Sequence, residues 1–374
     1  MRHGLIPALA GMLILITGCN RPATPATLPV SPLLGKPAPS LDGAFVWLNG
    51  DAVSLDKWRG KVVLIHFFDY SCLNSIHTFP YLLEWERRYE SLGLQVVGIH
   101  SPEFNFALTP DNVQMGVNRA GLKHPIAVDS DLKITGAYHN RYWPRLLVLD
   151  GDGIVRLDVT GEGQYVKIEK TIQGLLRELN PQVQLPAMMP PAHDFDQTNA
   201  VCYVVTPELY LGRARNDFGN PEAASTNTII TFHLPAERYI GVVYARGDWS
   251  IHDDYMRHAV DKDDLTDCLM LKYQAVECNV VMKPESVYWM QVFVEIDGAP
   301  VPKDYAGKDI RYDDDGRSFV KMNMARLYNL TRRQPYRSYE VRLSARGQGL
   351  SVYGFSFGTS IIPKDDLQLR SAKD

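Results

Sequence analysis

The chain has 374 residues, and hydrophobic residues make up 45% of it, which is enough to build sizeable cores. At roughly 150 residues per domain, this length favours two folded domains over one. The formal net charge is -4, with acidic and basic residues interspersed. Because the sequence has no basic stripe, it argues against a nucleic-acid partner.

Residues 1–18 have the pattern of a cleaved targeting signal. A positive Arg2 precedes an apolar run from Leu5 to Ile16, which is shorter than the about 20 residues that span a bilayer. The run ends just before Cys19 in a pattern that resembles the bacterial lipobox. That resemblance implies cleavage before Cys19, lipid attachment to its thiol and, with Asn20 following, transfer to the outer membrane. The alternative is an ordinary secretory signal with a chance cysteine.

Residues 19–35 are rich in Pro, Ala and Thr, which predicts a flexible tether to the membrane. An exported chain meets an oxidising, periplasmic environment, where disulfides persist. The other cysteines lack Cys-x-x-Cys spacing, so the sequence indicates neither a structural zinc site nor a cofactor. A bridge between Cys268 and Cys278 stays open, because sequence alone does not give the Cα separation. These four cysteines are Cys72, Cys202, Cys268 and Cys278.

Residues 36–180 alternate between strand-like and helix-like segments, which predicts an α/β domain. Apolar runs indicate buried strands, and Asp150-Gly151-Asp152-Gly153 indicates a hairpin turn. The expected strands are Val62–Phe68, Leu94–Ile99, Leu146–Leu149 and Ile154–Val159, and the expected helices are Asn74–Tyr89, Asn112–Ala120 and Gln164–Leu179.

A proline-rich linker is expected over residues 181–200, and the character then changes to β. Over residues 201–374 short alternating runs, such as Tyr288–Ile296 and Leu350–Phe357, are separated by Gly, Pro and Asp. This pattern predicts an all-β sandwich or jelly roll.

Cys72 lies between the first apolar strand and the helix that follows it. A cysteine at a helix N-terminus faces unpaired backbone N–H groups and the positive end of the helix dipole. Both favour the thiolate, which is the nucleophile in disulfide exchange. The alternative is a buried structural cysteine, which is common for this residue type.

Several spaced motifs resemble the thioredoxin-like domains of the TlpA and DipZ type, above all the periplasmic C-terminal half of DipZ proteins. They cover most of residues 36–180 and extend into the start of the β region. The matching segments are Trp58-Arg59-Gly60-Lys61-Val62-Val63-Leu64, Tyr70-Ser71-Cys72-Leu73-Asn74, Gly98-Ile99-His100-Ser101-Pro102-Glu103-Phe104, Asn140-Arg141-Tyr142-Trp143-Pro144 and Thr206-Pro207-Glu208-Leu209-Tyr210-Leu211-Gly212.

The resemblance implies a thioredoxin-like fold in which Cys72 is the attacking cysteine. It also implies that Pro144 is the cis-proline facing the sulfur, so that the Trp143 backbone binds a partner peptide in strand-like pairing. Asn74 and His100 are candidates for the substrate-binding rim. The family's β domain resembles carbohydrate-binding modules, which implies a glycan or a protein as its ligand.

Two departures from the family matter. The motif continues as Leu73-Asn74-Ser75, so Ser75 replaces the second cysteine and cannot attack a mixed disulfide. His66, six residues before Cys72, stands where thioredoxins often have a buried carboxylate. Its imidazole is either a proton shuttle or a satisfied core histidine.

A lone thiol can still form mixed disulfides that an external thiol completes, and it can isomerise disulfides. Cys202 is the candidate for a distant resolving cysteine. Asp69, three residues before Cys72, and Ile76, four after it, depart from the peroxiredoxin and Sco-type copper patterns. His77 and His100 are further candidates to lower the thiol pKa. Glu103 is either a proton acceptor or a solvated loop carboxylate.

In the β region, an aromatic group either forms a ligand-binding face or belongs to the sandwich core, which the alternation favours. Its members are Trp249, Tyr288, Trp289, Tyr353 and Phe355. The acidic clusters at residues 252–254 and 313–316 are read as turns rather than calcium sites.

The sequence therefore predicts a membrane-tethered periplasmic protein for thiol–disulfide exchange through one cysteine. Its expected partners are thiol- or disulfide-bearing proteins and an external reductant protein. The alternative is a non-catalytic thioredoxin-fold scaffold with a binding β domain.

Overall fold

The structure is a computed structural model that describes residues 31–225, 228–285 and 289–366. The predictions on the signal sequence, on lipidation at Cys19 and on Tyr288 concern residues outside these ranges. The described chain forms an α/β domain followed by an all-β domain. Within the described ranges, no helix combines the length and the apolar character needed to cross a membrane.

The first domain is built on a mixed sheet with strand order β1-β4-β3-β2-β5-β6. Its central strands β2, β3 and β4 run parallel, and the remaining pairs run antiparallel. The strands are β1 (Val46–Leu48), β2 (Val62–Phe68), β3 (Leu94–His100), β4 (Ile126–Val128), β5 (Arg145–Leu149) and β6 (Val155–Thr160).

Helices cover the faces of this sheet, so the domain has a layered α/β arrangement of the thioredoxin type. The helices are α1 (Leu73–Tyr89), α2 (Pro110–Ala120), α3 (Lys133–Ala137) and α4 (Tyr165–Leu179). Strand β2 is buried at every position, because it lies in the centre of the sheet with packed layers on both sides. The predicted strands and helices are confirmed, with ends shifted by one or two residues.

The chain enters this domain earlier than the predicted tether boundary suggests. Leu33 is buried in the cluster that contains Val63 and Leu147. The backbone N–H of Gly35 donates to the carbonyl oxygen of Val155 over 2.8 Å. Residues 33–35, which were assigned to the tether, thus pack on the domain.

The proline-rich segment 181–200 is packed against the first domain. The backbone N–H of Met189 donates to the carboxylate of Glu169 over 2.9 Å, and that of Ala192 donates to the hydroxyl of Tyr81 over 2.8 Å. The segment therefore runs along helices α1 and α4 rather than standing free of them.

Every strand pair within the second domain is antiparallel. Its strands are β7 (Leu209–Tyr210), β8 (Ile230–Phe232), β9 (Val243–Ile251), β10 (Met256–His258), β11 (Cys268–Ala275), β12 (Glu277–Pro284), β13 (Met290–Ile296), β14 (Ala299–Pro300), β15 (Ile310–Tyr312), β16 (Ser318–Met322), β17 (Arg326–Thr331), β18 (Arg337–Ala345) and β19 (Leu350–Gly358).

Strand β9 links the two sheets of this sandwich. Its first half pairs with β11, and its second half pairs with β8 and β10. Gly247 lies between the halves with φ 91°, and a Cβ there would lie 2.0 Å from the carboxylate of Asp267. Only glycine fits this bend, because it tolerates both the positive φ and the close approach. One hydrophobic cluster joins residues of both sheets, which confirms the predicted β sandwich.

The two domains share a packed contact. The buried hydroxyl of Tyr70, beside the candidate cysteine, donates to the carbonyl oxygen of Ala325 over 3.1 Å. The ring of Phe106 meets that of Tyr353 edge-on, with centroids 4.7 Å apart. Tyr353 belongs to the core cluster of the first domain, so the β domain completes part of that core.

Candidate functional site

Cys72 is the N-cap residue of helix α1, directly before Leu73. Its backbone is extended, with φ -80° and ψ 122°, and its carbonyl oxygen accepts the hydrogen bond from the N–H of Ile76. Its own N–H donates to the carbonyl oxygen of Asp69 over 3.2 Å. The predicted place of the sulfur, where a buried strand leads into a helix, is confirmed.

The loop before β5 faces this sulfur. The Cys72 Sγ lies 4.0 Å from the carbonyl oxygen of Trp143, and the Trp143–Pro144 peptide bond is cis, as the resemblance implied. The cysteine and the loop thus come together from positions 71 residues apart. This pair forms the centre of the candidate site.

The expectation that Cys72 is readily ionised is wrong for this structure. The side chain is only 7% exposed. Burial raises the pKa of the Cys72 thiol well above its ordinary value, and the negative charges of Glu103 and Glu208 raise it further. The helix N-terminus does not overcome these effects, so Cys72 is a protonated thiol at neutral pH.

Ser75 and Asn74 lie on the first turn of α1. The backbone N–H and the hydroxyl of Ser75 lower the pKa of Cys72, though less than burial raises it. The Ser75 hydroxyl is buried and makes no conventional hydrogen bond within the described residues. The Asn74 carbonyl oxygen accepts a bond from Thr78, and its side chain is partly exposed. Both residues lie beside Cys72, as predicted.

His66 is a core residue on the central strand. Its ring stacks on Phe68, with centroids 5.1 Å apart, and meets Phe79 edge-on. Burial, together with the charge of His124, lowers the pKa of His66 well below its ordinary value. Neither ring nitrogen has a hydrogen-bond partner among the described residues. His66 is therefore a core residue, but its ring nitrogens are not satisfied by the described residues as the core interpretation expected.

The other two candidate histidines have opposite properties. His100 is fully buried against Tyr70, and burial lowers its pKa to about 3, so it is neutral. His77 Nδ1 lies 2.9 Å from Glu162 Oε2. Burial disfavours the charged form of His77, but the carboxylate of Glu162 outweighs it, and the pKa of His77 is raised. Its charge is matched by Glu162 rather than directed at the thiol.

Asp69 is a functional residue that the sequence reasoning missed. Its fully buried carboxylate accepts the N–H and the hydroxyl of Ser71 over 2.7 and 2.6 Å. Its second oxygen accepts the N–H of Glu103 over 2.8 Å. Asp69 therefore fixes the cysteine loop and the Glu103 loop relative to each other. A buried strand followed by an acidic residue was the available signal.

A second missed group comes from the β domain. The Tyr210 hydroxyl lies 3.1 Å from Glu103 Oε1 and 3.0 Å from Glu208 Oε2. Arg215 pairs with Glu103 over 3.1 Å, and its guanidinium lies 3.7 Å from the centre of the Tyr210 ring. The segment Thr206–Gly212 had been noted for its family resemblance, but nothing in the sequence placed it at Cys72.

The remaining cysteines lie away from these contacts. Cys268 and Cys278 are buried free thiols, so the bridge left open between them does not form. Cys202 is held in a disulfide, and its backbone forms a β-bridge with Ile361. It offers no free thiol to Cys72 in this structure, and its role as a resolving cysteine stays a prediction.

The aromatic group of the β domain belongs mostly to the core. Trp249, Tyr353 and Phe355 are each about fully buried, as the alternation favoured, whereas Trp289 is 52% exposed beside Lys321. Asp313 accepts backbone bonds from its own turn. Within the described ranges, no three His, Cys, Asp or Glu residues are grouped so as to hold a metal ion.

Two family models match the chain. Residues 33–167 match the model described as redoxin, and residues 206–358 match the model described as the thioredoxin-like C-terminal domain. The first range covers the α/β domain up to the start of helix α4, and the second covers the β domain. The rest of α4 and the packed proline-rich segment lie between the two ranges.

Curated relatives include DipZ and two thiol-disulfide oxidoreductases. Protein DipZ of Mycobacterium tuberculosis is 33% identical over 249 residues, which are 66% of this chain and 35% of DipZ. The chain therefore spans about a third of the length of DipZ. The thiol-disulfide oxidoreductase YkuV of Bacillus subtilis is 32% identical over 145 residues, 39% of this chain and 97% of YkuV. The thiol-disulfide oxidoreductase ResA of Bacillus thuringiensis is 28% identical over 148 residues, 40% of this chain and 79% of ResA.

Proposed function

This chain belongs to the thioredoxin-like family of DipZ- and TlpA-type proteins, and we propose that it carries out thiol–disulfide exchange through Cys72 alone. The observation that carries the proposal is the Cys72 sulfur at the start of α1, 4.0 Å from the Trp143 carbonyl oxygen. This arrangement puts the sulfur beside backbone that an extended partner segment can pair with.

The exchange needs only a disulfide and a thiol. Cys72 loses its proton and attacks one sulfur of the partner disulfide, whose other sulfur leaves as a thiolate and takes up a proton. Ser75 cannot release the resulting mixed disulfide, because a hydroxyl is a far weaker nucleophile toward sulfur than a thiolate. An external thiol, or a thiol of the partner itself, therefore completes the reaction.

The proposed partners are exported proteins that carry thiols or disulfides, together with an external reductant protein. The proposed location is the periplasm, with the chain anchored to the outer membrane by lipid on Cys19. The basis is the apolar run that ends before Cys19 and the Asn20 that follows it. Growth of cells with labelled palmitate tests the anchor. The unmodified chain is expected to carry the label and the Cys19→Ala variant to lack it. A labelled Cys19→Ala variant would contradict lipid attachment at Cys19.

The raised pKa and the 7% exposure of Cys72 favour a second candidate, a thioredoxin-fold scaffold that binds partners without redox chemistry. The two candidates differ in one respect. Exchange requires a covalent bond to Cys72, whereas a scaffold keeps its partners after that thiol is removed.

Capture of exported proteins separates them. The full chain is expected to form mixed disulfides with periplasmic proteins. These covalent complexes should survive denaturation and be released by a thiol reductant. Cys72→Ala is expected to lose these species and Cys268→Ala, which removes a buried thiol of the β domain, to keep them. Equal capture by the full chain and by Cys72→Ala would contradict exchange through Cys72 and support the non-catalytic scaffold.

A further inference from the structure

Two carboxyl groups from different domains meet at one hydroxyl, and Asp69 ties the loop of one of them to the cysteine loop. Glu103 follows strand β3 of the first domain, and Glu208 directly precedes β7 of the second. The Tyr210 hydroxyl lies within hydrogen-bond distance of both, 3.1 Å from Glu103 Oε1 and 3.0 Å from Glu208 Oε2. The β domain thus brings a carboxyl group next to Glu103, and both groups are close enough to influence the pKa of the Cys72 thiol.

The hydrogen bonds of Tyr210 indicate how many protons the two carboxyl groups hold. A tyrosine hydroxyl donates one hydrogen bond and accepts others, whereas an ionised carboxylate only accepts. Tyr210 bonds to both carboxyl groups only when one of them is protonated and donates to the tyrosine oxygen. The arrangement therefore fits a pair, Glu103 and Glu208, that holds one proton between them.

The surrounding charges agree with this count. Arg215 lies 3.1 Å from Glu103 and stabilises its ionised form, while Asp69 faces the pair from the cysteine loop. Burial first, and then the charge of Glu103, raise the pKa of Glu208 to about 8. The proton thus resides on Glu208, and the ionised Glu103 pairs with Arg215.

We propose that the β domain supplies the proton donor of the redox site: Glu208 gives its proton to the sulfur that leaves, while Glu103 receives the proton of Cys72, with Tyr210 and Arg215 as positioning residues. This inference rests on the proposed function and names the groups that serve the same thiol.

The balance of the step is simple. The Cys72 S–H bond breaks, its proton passes to the ionised Glu103, and the thiolate attacks the partner disulfide. One S–S bond forms as another breaks, and the departing thiolate takes the proton of Glu208. Tyr210 then returns the proton of Glu103 to Glu208, so the pair again holds one proton. The total charge of thiol, carboxyl pair and Arg215 stays constant while the proton moves, which matters in a buried site where separated charges are costly.

Two disulfide probes with different leaving groups test this role in the full chain. Glutathione disulfide releases an ordinary thiolate that needs a proton, whereas a nitrobenzoate disulfide releases a stable thiolate that does not. In Glu208→Gln we expect the reaction of Cys72 with glutathione disulfide to slow on the order of 100-fold, because the proton donor to the leaving sulfur is gone. The reaction with the nitrobenzoate disulfide is expected to stay equal, because its thiolate needs no proton and the substitution replaces an uncharged carboxyl with an uncharged amide.

The chain offers a matched control. Glu237 accepts a hydrogen bond from Tyr239 over 3.0 Å, with the same spacing of two residues but on the surface. Glu237→Gln should react as the unmodified chain does with both probes. Should Glu208→Gln fail to fold, Tyr210→Phe takes its place, because it keeps both carboxyl groups and removes only the bridging hydroxyl. The same selective loss is expected, at smaller size.

Equal slowing with both probes would mean that Glu208 only supports the structure, and unchanged rates with both would mean that it carries no proton. Either result overturns the inference and leaves the proposed function intact. If the full chain reacts with neither probe faster than Cys72→Ala does, the proposed function fails, and this inference fails with it.

Discussion

The sulfur of Cys72 lies 4.0 Å from the carbonyl oxygen of Trp143. Sequence-distant loops are brought to this distance by the antiparallel pairing of β2 with β5, which sets the end of one strand beside the start of the other. The result is a sulfur atom next to the backbone of the Trp143 loop. The same position is buried and faces two carboxyl groups, so the thiol must be activated before it reacts.

The raised pKa of Cys72 predicts slow alkylation near neutral pH. Iodoacetamide reacts with thiolate, so the rate for the folded chain should rise only at pH values above the ordinary thiol pKa of about 8.5. The same thiol in denaturant should react with the ordinary pH profile. Peptide mapping of the labelled cysteine gives the rate at each pH. A midpoint of the pH–rate profile below the ordinary thiol pKa would contradict the raised pKa of Cys72.

Ser75→Cys should convert the site to the two-cysteine cycle. Cysteine is close in size to the buried serine, and a second thiol one turn along α1 can attack a mixed disulfide on Cys72. We expect the glutathione adduct of the variant to decay without added thiol, while that of the unmodified chain persists. Ser75→Ala is the control and should retain the adduct; decay in both would point to another resolving group.

The pair of His77 and Glu162 should make stability depend on pH. The pKa of His77 is raised in the folded chain, so the pair stabilises fully below the unfolded pKa of about 6.5 and loses this contribution as pH rises through the folded value. His77→Gln should lower the free energy of unfolding by on the order of 1 kcal/mol at about pH 5.5 and by less at about pH 8.5.

Urea denaturation at both pH values measures this change. His233 offers a matched control, since it lies 3.1 Å from Glu222 but is 78% exposed. His233→Gln should change stability little at either pH. An effect of His77→Gln that does not depend on pH would assign the loss to packing instead.

Gly116 on helix α2 should not tolerate a side chain. A Cβ there would lie 2.5 Å from the ring of Tyr70, whose hydroxyl bonds to Ala325 of the β domain. Gly116→Ala should destabilise the chain by about 1–3 kcal/mol, because it displaces this ring.

Gly174 on helix α4 is the matched control, since a Cβ there meets nothing within 4 Å. Gly174→Ala should stabilise by about 0.5–1 kcal/mol through helix propensity alone. Thermal unfolding compares the two variants. Equal effects of both substitutions would show that Tyr70 moves freely and that the domain contact is weak.

Much of the first domain could be predicted from local pattern. Val62–Phe68 is a continuous apolar run because β2 is buried on both faces, and the apolar spacing after Cys72 follows from one buried face of α1. The short strands β1 and β4 gave no signal of their own, since three residues carry too little periodicity.

The electrostatics of the site could not be predicted in this way. The position of Cys72 at a helix start was correct, but the ionisation inferred from it was not, because desolvation depends on the layers packed above the sulfur. The contact between Glu103 and Tyr210 joins residues 107 apart in the chain and belongs to two domains. Neither local composition nor residue spacing predicts a contact between residues of two domains.

The most direct measurement is the intact mass of the full chain after incubation with glutathione disulfide, followed by peptide mapping. We predict a single glutathione, lost on treatment with a thiol reductant and mapped to Cys72, with Cys268 and Cys278 unmodified because both are buried in the β domain. An unmodified Cys72, or equal modification of Cys72→Ser, would contradict redox chemistry at this sulfur.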